Sequence, residues 1–123
     1  MAGTSVRMSM QKTHSLHRIH ERIHYITGAE QVAKVEQHFD GAEVWLLVYE
    51  KYFFRASGFN SLTVLLTEQN DRHTAEIIAT GGGSGITNIS YGANRKFAKE
   101  CVQALTELGF TVERQSEKEP WWQ

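Results

Sequence analysis

Apolar positions along the chain recur with two periods, and the switch between them lays out the fold. Leu16, Ile19, Ile23 and Ile26 recur at three- and four-residue steps, a narrow stripe that predicts a helix over residues 11–26. Thr13 is its candidate N-cap and Gly28 its stop signal. Between 30 and 39 both periods fit: Val32, Val35 and Phe39 at helical spacing, Ala33, Val35 and Phe39 in alternation. Asp40-Gly41 ahead of a strong strand is a hairpin signal, so this stretch is read as a strand. Residues 43–55 are dense in β-branched and aromatic side chains. Alternation places Val44, Leu46, Val48, Glu50, Tyr52 and Phe54 on one face and Trp45, Leu47, Tyr49, Lys51, Phe53 and Arg55 on the other. Both faces are largely apolar and both call for cover, one by helices and the other by a second subunit.

Residues 56–60 read as a turn. Strands follow at 61–68, with Leu62, Val64 and Leu66 on one face, and at 73–80, with Ala75, Ile77 and Ala79. The turn signal at Gln69–Arg72 joins them into an antiparallel meander. Gly81-Gly82-Gly83-Ser84-Gly85 interrupts the pattern, and a short strand is expected at 86–90. Phe97, Cys101, Leu105 and Leu108 then share one face of a helix over 93–108, ended by Gly109. Phe110 and Val112 suggest a short last strand or a docked extension. The expected fold is α+β: an antiparallel meander sheet of four to six strands packed against a C-terminal amphipathic helix, with an additional N-terminal helix. Residues 1–10 are small and polar with three methionines, and read as a flexible arm or a non-native remnant. Residues 11–113 form a single domain, and 114–123 a charged tail ending in Pro120-Trp121-Trp122-Gln123.

Composition narrows the function classes. A chain of 123 residues with 41% apolar content suits one domain with its own core. With 13 Lys+Arg against 14 Asp+Glu the net charge is −1, which argues against nucleic-acid binding through a broadly basic surface. The single cysteine, Cys101, forms no intrachain disulfide and fits a reducing, cytoplasmic compartment. No apolar run reaches the roughly 18 residues of a membrane span, and no apolar segment at the N-terminus suggests a signal peptide.

Four short motifs stand in a fixed order: Glu50-Lys51-Tyr52-Phe53-Phe54-Arg55, Ser61-Leu62-Thr63-Val64, Gly81-Gly82-Gly83-Ser84-Gly85 and Tyr91-Gly92-Ala93. Over about residues 44–108 the chain resembles a family of small, uncharacterised bacterial proteins, a domain of unknown function. The resemblance implies a small cytosolic bacterial α+β protein and no activity. Residues 1–30, with their histidines, lie outside it.

Two segments carry candidate chemistry. His20-Glu21-Arg22-Ile23-His24 spells H-E-x-x-H, which on a helix sets two imidazoles one turn apart to hold zinc, with Glu21 as base. Charged Arg18 and Arg22 beside it and the absence of a third histidine weaken that pattern; a third ligand has to come from Glu30, His38 or Glu43. His14 and His17 extend the imidazole row along one edge of the apolar stripe. The glycine run Gly81, Gly82, Gly83, Ser84, Gly85 suits an anion nest of backbone N–H groups, with Lys51 and Arg55 as the nearby cations. No Lys-Ser or Lys-Thr follows it, which argues against a nucleotide loop. Trp45, Tyr49 and Phe53, together with Trp121 and Trp122, are candidate self-association contacts, and Cys101 is core. The expectation is a non-enzymatic homo-oligomer that binds a small anionic ligand or protein partner near the glycine run, without cofactor. The alternative is a zinc-binding protein or metal-dependent hydrolase built on His20 and His24.

Overall fold

The computed structural model describes residues 3–54, 58–81 and 87–116, and of 87–91 the backbone alone. In chain order the elements are β1 (Thr4–Gln11), α1 (Leu16–Thr27), β2 (Glu30–Phe39), β3 (Ala42–Phe53), β4 (Gly58–Gln69), β5 (Arg72–Gly81), α2 (Thr87–Leu108) and β6 (Thr111–Gln115). The strands form one six-stranded sheet in the order β2-β3-β4-β5-β1-β6. Every neighbouring pair is antiparallel. The fold is α+β, with both helices on one face of the sheet. No helix among the described residues is long and apolar enough to cross a membrane.

The meander runs from β2 to β5 as the turn signals predict. Phe39 pairs with Ala42 across Asp40-Gly41, and Gly41 takes a positive φ of 79°. Asn70 and Asp71 turn the β4–β5 hairpin with φ of 54° and 60°, a two-residue loop whose left-handed residues match the twist of the strands. Residues 30–39 are a strand, and Gly109 ends α2 with a φ of 111°.

Three boundaries differ from the pattern's prediction. Thr4–Gln11 is no free arm but a strand held on both sides, against β5 from Thr4↔Ala79 to Gln11↔Arg72 and against β6. Its polarity misleads because Thr4, Val6 and Met8 turn inward and are buried, with Met10 packed partly buried against the same core, while Ser5, Arg7 and Gln11 point to the opposite face. The first helix is capped by Ser15, whose Oγ accepts the Arg18 N–H at 3.1 Å, so it begins two residues beyond the Thr13 cap. Residues 87–90, expected as a strand, are the first turn of α2, which continues through Gly92. A helix tolerates such an interior glycine at a cost of about 1 kcal/mol.

The core lies between the helices and the inward residues of the sheet. Leu16, Ile19 and Ile23 of α1 and Phe97, Cys101 and Leu105 of α2 pack into one cluster with Trp45, Leu47, Tyr49, Leu62, Val64, Leu66 and Ile77. Phe53 and Phe97 meet with ring centroids 5.5 Å apart. Trp45, Tyr49 and Phe53 are thus buried by the protomer's own helices and are not available to a second subunit. The uncovered face is the other one, carrying Leu46, Val48 and Tyr52.

One buried polar side chain ties the core to the segment before α1. His73 is fully buried on β5, and its Nε2–H donates to the His14 carbonyl at 2.8 Å. Its ring stacks on Phe110 at 6.1 Å, and Nδ1 has no hydrogen-bond partner, with Glu68 Oε1 3.9 Å away. Burial lowers its pKa from the ordinary 6.5, outweighing the His14 carbonyl and Glu68, which favour the cation; Lys12 and His14 also disfavour it. The unfolded chain therefore takes up a proton that the native state refuses, and stability falls as pH drops below about 6.5. Thermal melts at about pH 7.5 and about pH 5 should show a lower Tm in acid, and His73→Leu should shrink that difference. An unchanged difference in His73→Leu would assign the acid sensitivity to other groups.

Candidate functional site

The imidazole row of α1 runs along its exposed edge, above the β3 aromatics. His17 meets Trp45 edge-on with centroids 4.8 Å apart, His20 lies 6.4 Å from the Tyr49 ring, and His24 lies 6.5 Å from it. The His20 Nε2–H donates to Gln31 Oε1 on β2. His24 and Glu21 are exposed, not set deep in a cleft. Among the described residues, neither His20 nor His24 belongs to a group of three metal-ligating side chains within reach of one ion. The H-E-x-x-H spacing here follows from a histidine-rich helix flank, whose partners are aromatic and amide groups.

Lys51 is committed inside the fold. On the inward face of β3 its Nζ lies 3.0 and 3.1 Å from the two carboxylate oxygens of Glu100, and it donates to the Thr27 carbonyl at 2.8 Å. One lysine thus neutralises Glu100 of α2 and satisfies a carbonyl at the C-terminus of α1, where the helix dipole favours a cation. The predicted pairing of Lys51 with a bound anion gives way to this internal contact. Gly81 has a structural duty too: with φ of 96°, a Cβ there would sit 3.0 Å from the Phe59 carbonyl oxygen. Gly82, Gly83, Ser84, Gly85, Arg55, Trp121 and Trp122 lie outside the described residues. Cys101 is buried, and burial pushes its thiol pKa well up, which fits packing and not nucleophilic chemistry.

Ligand chemistry gathers instead at the turn end of the β2–β3 hairpin. Glu36, His38 and Glu43 all face inward, but β2 lies beyond the cover of the helices, so this inward face remains open to solvent. Their ligating atoms all lie within 4.8 Å of one another. His38 pairs with Glu43 across the hairpin, with Nδ1 3.4 Å from Oε1. The Trp45 Nε1–H donates to the same carboxylate at 3.0 Å and fixes its orientation. Glu36 accepts from Lys34 at 2.9 Å, a bond that lowers its pKa, with His17 and His38 adding smaller pulls. Lys34 also lies over the Trp45 ring, 4.4 Å from its centroid.

A cleft of about 620 Å³ adjoins the cluster and shares Glu43 and Trp45 with it. His14, Ser15 and His17 form one wall; Glu68 and Asp71 from the β4–β5 hairpin form the other. Lys12 spans its rim to Glu68 at 2.9 Å. Two imidazoles and three carboxylates thus line the cleft, with Lys12 pairing one of the carboxylates, Glu68. His38 and Glu43 stand among the sequence's candidate third ligands, but Glu36 does not. Hairpin arithmetic marks all three: a two-residue turn at Asp40-Gly41 pairs 38 with 43, and two residues further on places 36 on the same face.

The fold and the site define a small α+β domain, helices on one side of an antiparallel sheet, with a cation-suited hairpin at one end. The chain belongs to a family of unknown function (DUF6054), whose model matches residues 1–109. The match takes in β1 and the histidine-bearing α1, so the first thirty residues are part of the family's pattern. No curated protein matches the chain.

Lys51 and Glu100 are mostly shielded, with side-chain exposures of 28% and 21%. Lys51→Met should lower stability by about 1–2 kcal/mol, since Glu100 and the helix-end carbonyl lose their donor. Urea denaturation measures this, and Lys51→Met/Glu100→Met should recover part of the loss. An unchanged midpoint in Lys51→Met would return that lysine to the pool of ligand-binding groups.

Proposed function

We propose that this protein is a non-enzymatic metal-binding protein that takes one divalent transition ion, zinc foremost, at Glu36, His38 and Glu43. The observation that carries this reading is the convergence of the three ligating atoms within 4.8 Å, beside a cleft that Glu43 also lines. One imidazole nitrogen with two carboxylates suits zinc, manganese or iron better than calcium or magnesium, which take oxygen-only shells. Metal–ligand bonds are about 2.0–2.2 Å long, so the three side chains must close in slightly. They are exposed or half-buried on a hairpin, and small rotamer changes suffice. Lys34 has to release Glu36, and an exposed ion pair of this kind is weak. Trp45 acts behind the site by orienting Glu43, as outer hydrogen bonds do in metal centres. Three protein ligands leave positions free for water or for a donor group of a molecule in the cleft. A bacterial cytoplasmic setting is part of this reading, supported by the sequence resemblance and the single cysteine.

Calorimetry and native mass spectrometry of untagged protein with zinc test the proposal. One ion per chain is expected, weakened about tenfold or more in His38→Ala and in Glu43→Gln. Glu21→Ala, His20→Ala and His24→Ala should bind as the parent does. Binding that depends on His20 and His24 would move the metal to α1, and absence of heat and adduct at about 1 mM zinc would end the reading.

A further inference from the structure

The sheet has two faces, and the helices cover one. On the other, the register of the meander sets Val35, Leu46 and Leu65 side by side in a row across β2, β3 and β4. Val44 and Val48 flank that row on β3, and Phe39, Tyr52 and Phe59 stand nearer its ends with exposures of 58%, 51% and 60%. Scattered apolar side chains on a surface need no explanation; a continuous apolar surface over neighbouring strands does.

We propose that this open face is the contact surface for a second copy of the chain, giving a two-fold dimer of sheet packed on sheet. Three observations select that occupant. The first is size. Strands β2 to β4 are 10, 12 and 12 residues long. At ordinary strand spacing and rise they present about 540 Å² in flat projection. A specific interface clears about 1,000 Å² in total, which two such faces reach together.

The second is charge. The outward positions of β2, β3 and β4 carry only Glu30 and Glu50, which pair with each other in register at one end of the face. The centre is neutral, so two copies can meet there without burying a charge, and a nucleic acid or strongly charged partner finds nothing to pair with. Beyond the patch, Glu76 is held by Arg7 at 2.6 Å and by Arg114 at 3.0 Å. Arg7 and Arg72 also pair with Glu113, at 3.3 and 3.7 Å. These groups satisfy one another and form a polar border.

The third is symmetry. Leu46 lies at the middle of the row, with Val35 on one side and Leu65 on the other. A two-fold axis along β3 lays β2 of one protomer over β4 of its partner, so Val35 approaches the partner row's Leu65 end and the two Leu46 side chains meet at the axis. Aligned sheets pack about 10 Å apart, the depth that such aliphatic side chains fill. The inference is independent of metal binding, because the ligands face the opposite side of the sheet.

Light scattering coupled to size exclusion, and sedimentation equilibrium, test it on the full chain. The expected species is twice the 14.0 kDa chain mass. Leu46→Arg and Leu65→Arg, both at outward positions, should each give monomers with unchanged far-ultraviolet circular dichroism. Monomeric parent protein at about 100 µM would overturn the proposal. So would a dimer that survives in folded Leu65→Arg, because its interface would lie elsewhere.

Discussion

The strict alternation of β3 governs the molecule. Trp45, Leu47 and Tyr49 are almost wholly excluded from water on one side, while Leu46, Val48 and Tyr52 on the other remain accessible. Both helices must therefore lie on the same side of the sheet. A shift of pairing by one residue would expose Trp45 and Tyr49, and removing a buried aromatic of that size costs about 3–5 kcal/mol. The choice of face also decides what is left over. β2, at the sheet edge, escapes the helices, and its inward side is free to carry Lys34, Glu36 and His38.

Polar contacts between layers are few and specific. Lys51 joins the sheet to both helices through Glu100 and the Thr27 carbonyl. His73 joins the sheet to the segment before α1 through the His14 carbonyl, and His14 Nε2 bonds the Leu108 carbonyl at the end of α2. Each contact satisfies a group that burial would otherwise leave unpaired, and each fixes how a helix end sits on the sheet. The cost shows in titration: His73 is kept neutral, and the Tyr49 hydroxyl, buried without a partner, has its pKa raised by desolvation.

The candidate metal ligands and the open apolar face follow from the same geometry on opposite sides of one hairpin. Odd–even alternation sends Glu36 and His38 to the inward side and Val35 and Phe39 to the outward side. Cover on both faces would bury Glu36 and the neighbouring Glu43 of β3 at prohibitive cost. At the edge they keep contact with water while Trp45 and Lys34 hold them in place. One short segment thus serves two surfaces, and neither requires the other.

Elements with strong local signals were legible in the sequence: the meander, its two tight turns, both helices and the α+β class follow from periodicity and turn residues. The two faces of β3 were legible as sets, but not which set the helices cover, because both are apolar and local pattern carries no information about the opposite layer. The polar N-terminal strand was hidden for a related reason: β1 lies between β5 and β6, and its partners lie far away along the chain, from Gln11↔Arg72 to Val6↔Gln115. The H-E-x-x-H spacing drew attention to α1, where two imidazoles lie one turn apart by local geometry alone. A metal site needs a third ligand from another element, and only the tertiary arrangement supplies one. It supplies it to His38, through the cross-strand partner Glu43 and its neighbour Glu36, and leaves His20 and His24 facing aromatic rings and an amide. Local sequence settles which residues are helical or extended; the distance-dependent choices of cover, pairing and ligand set belong to the folded chain.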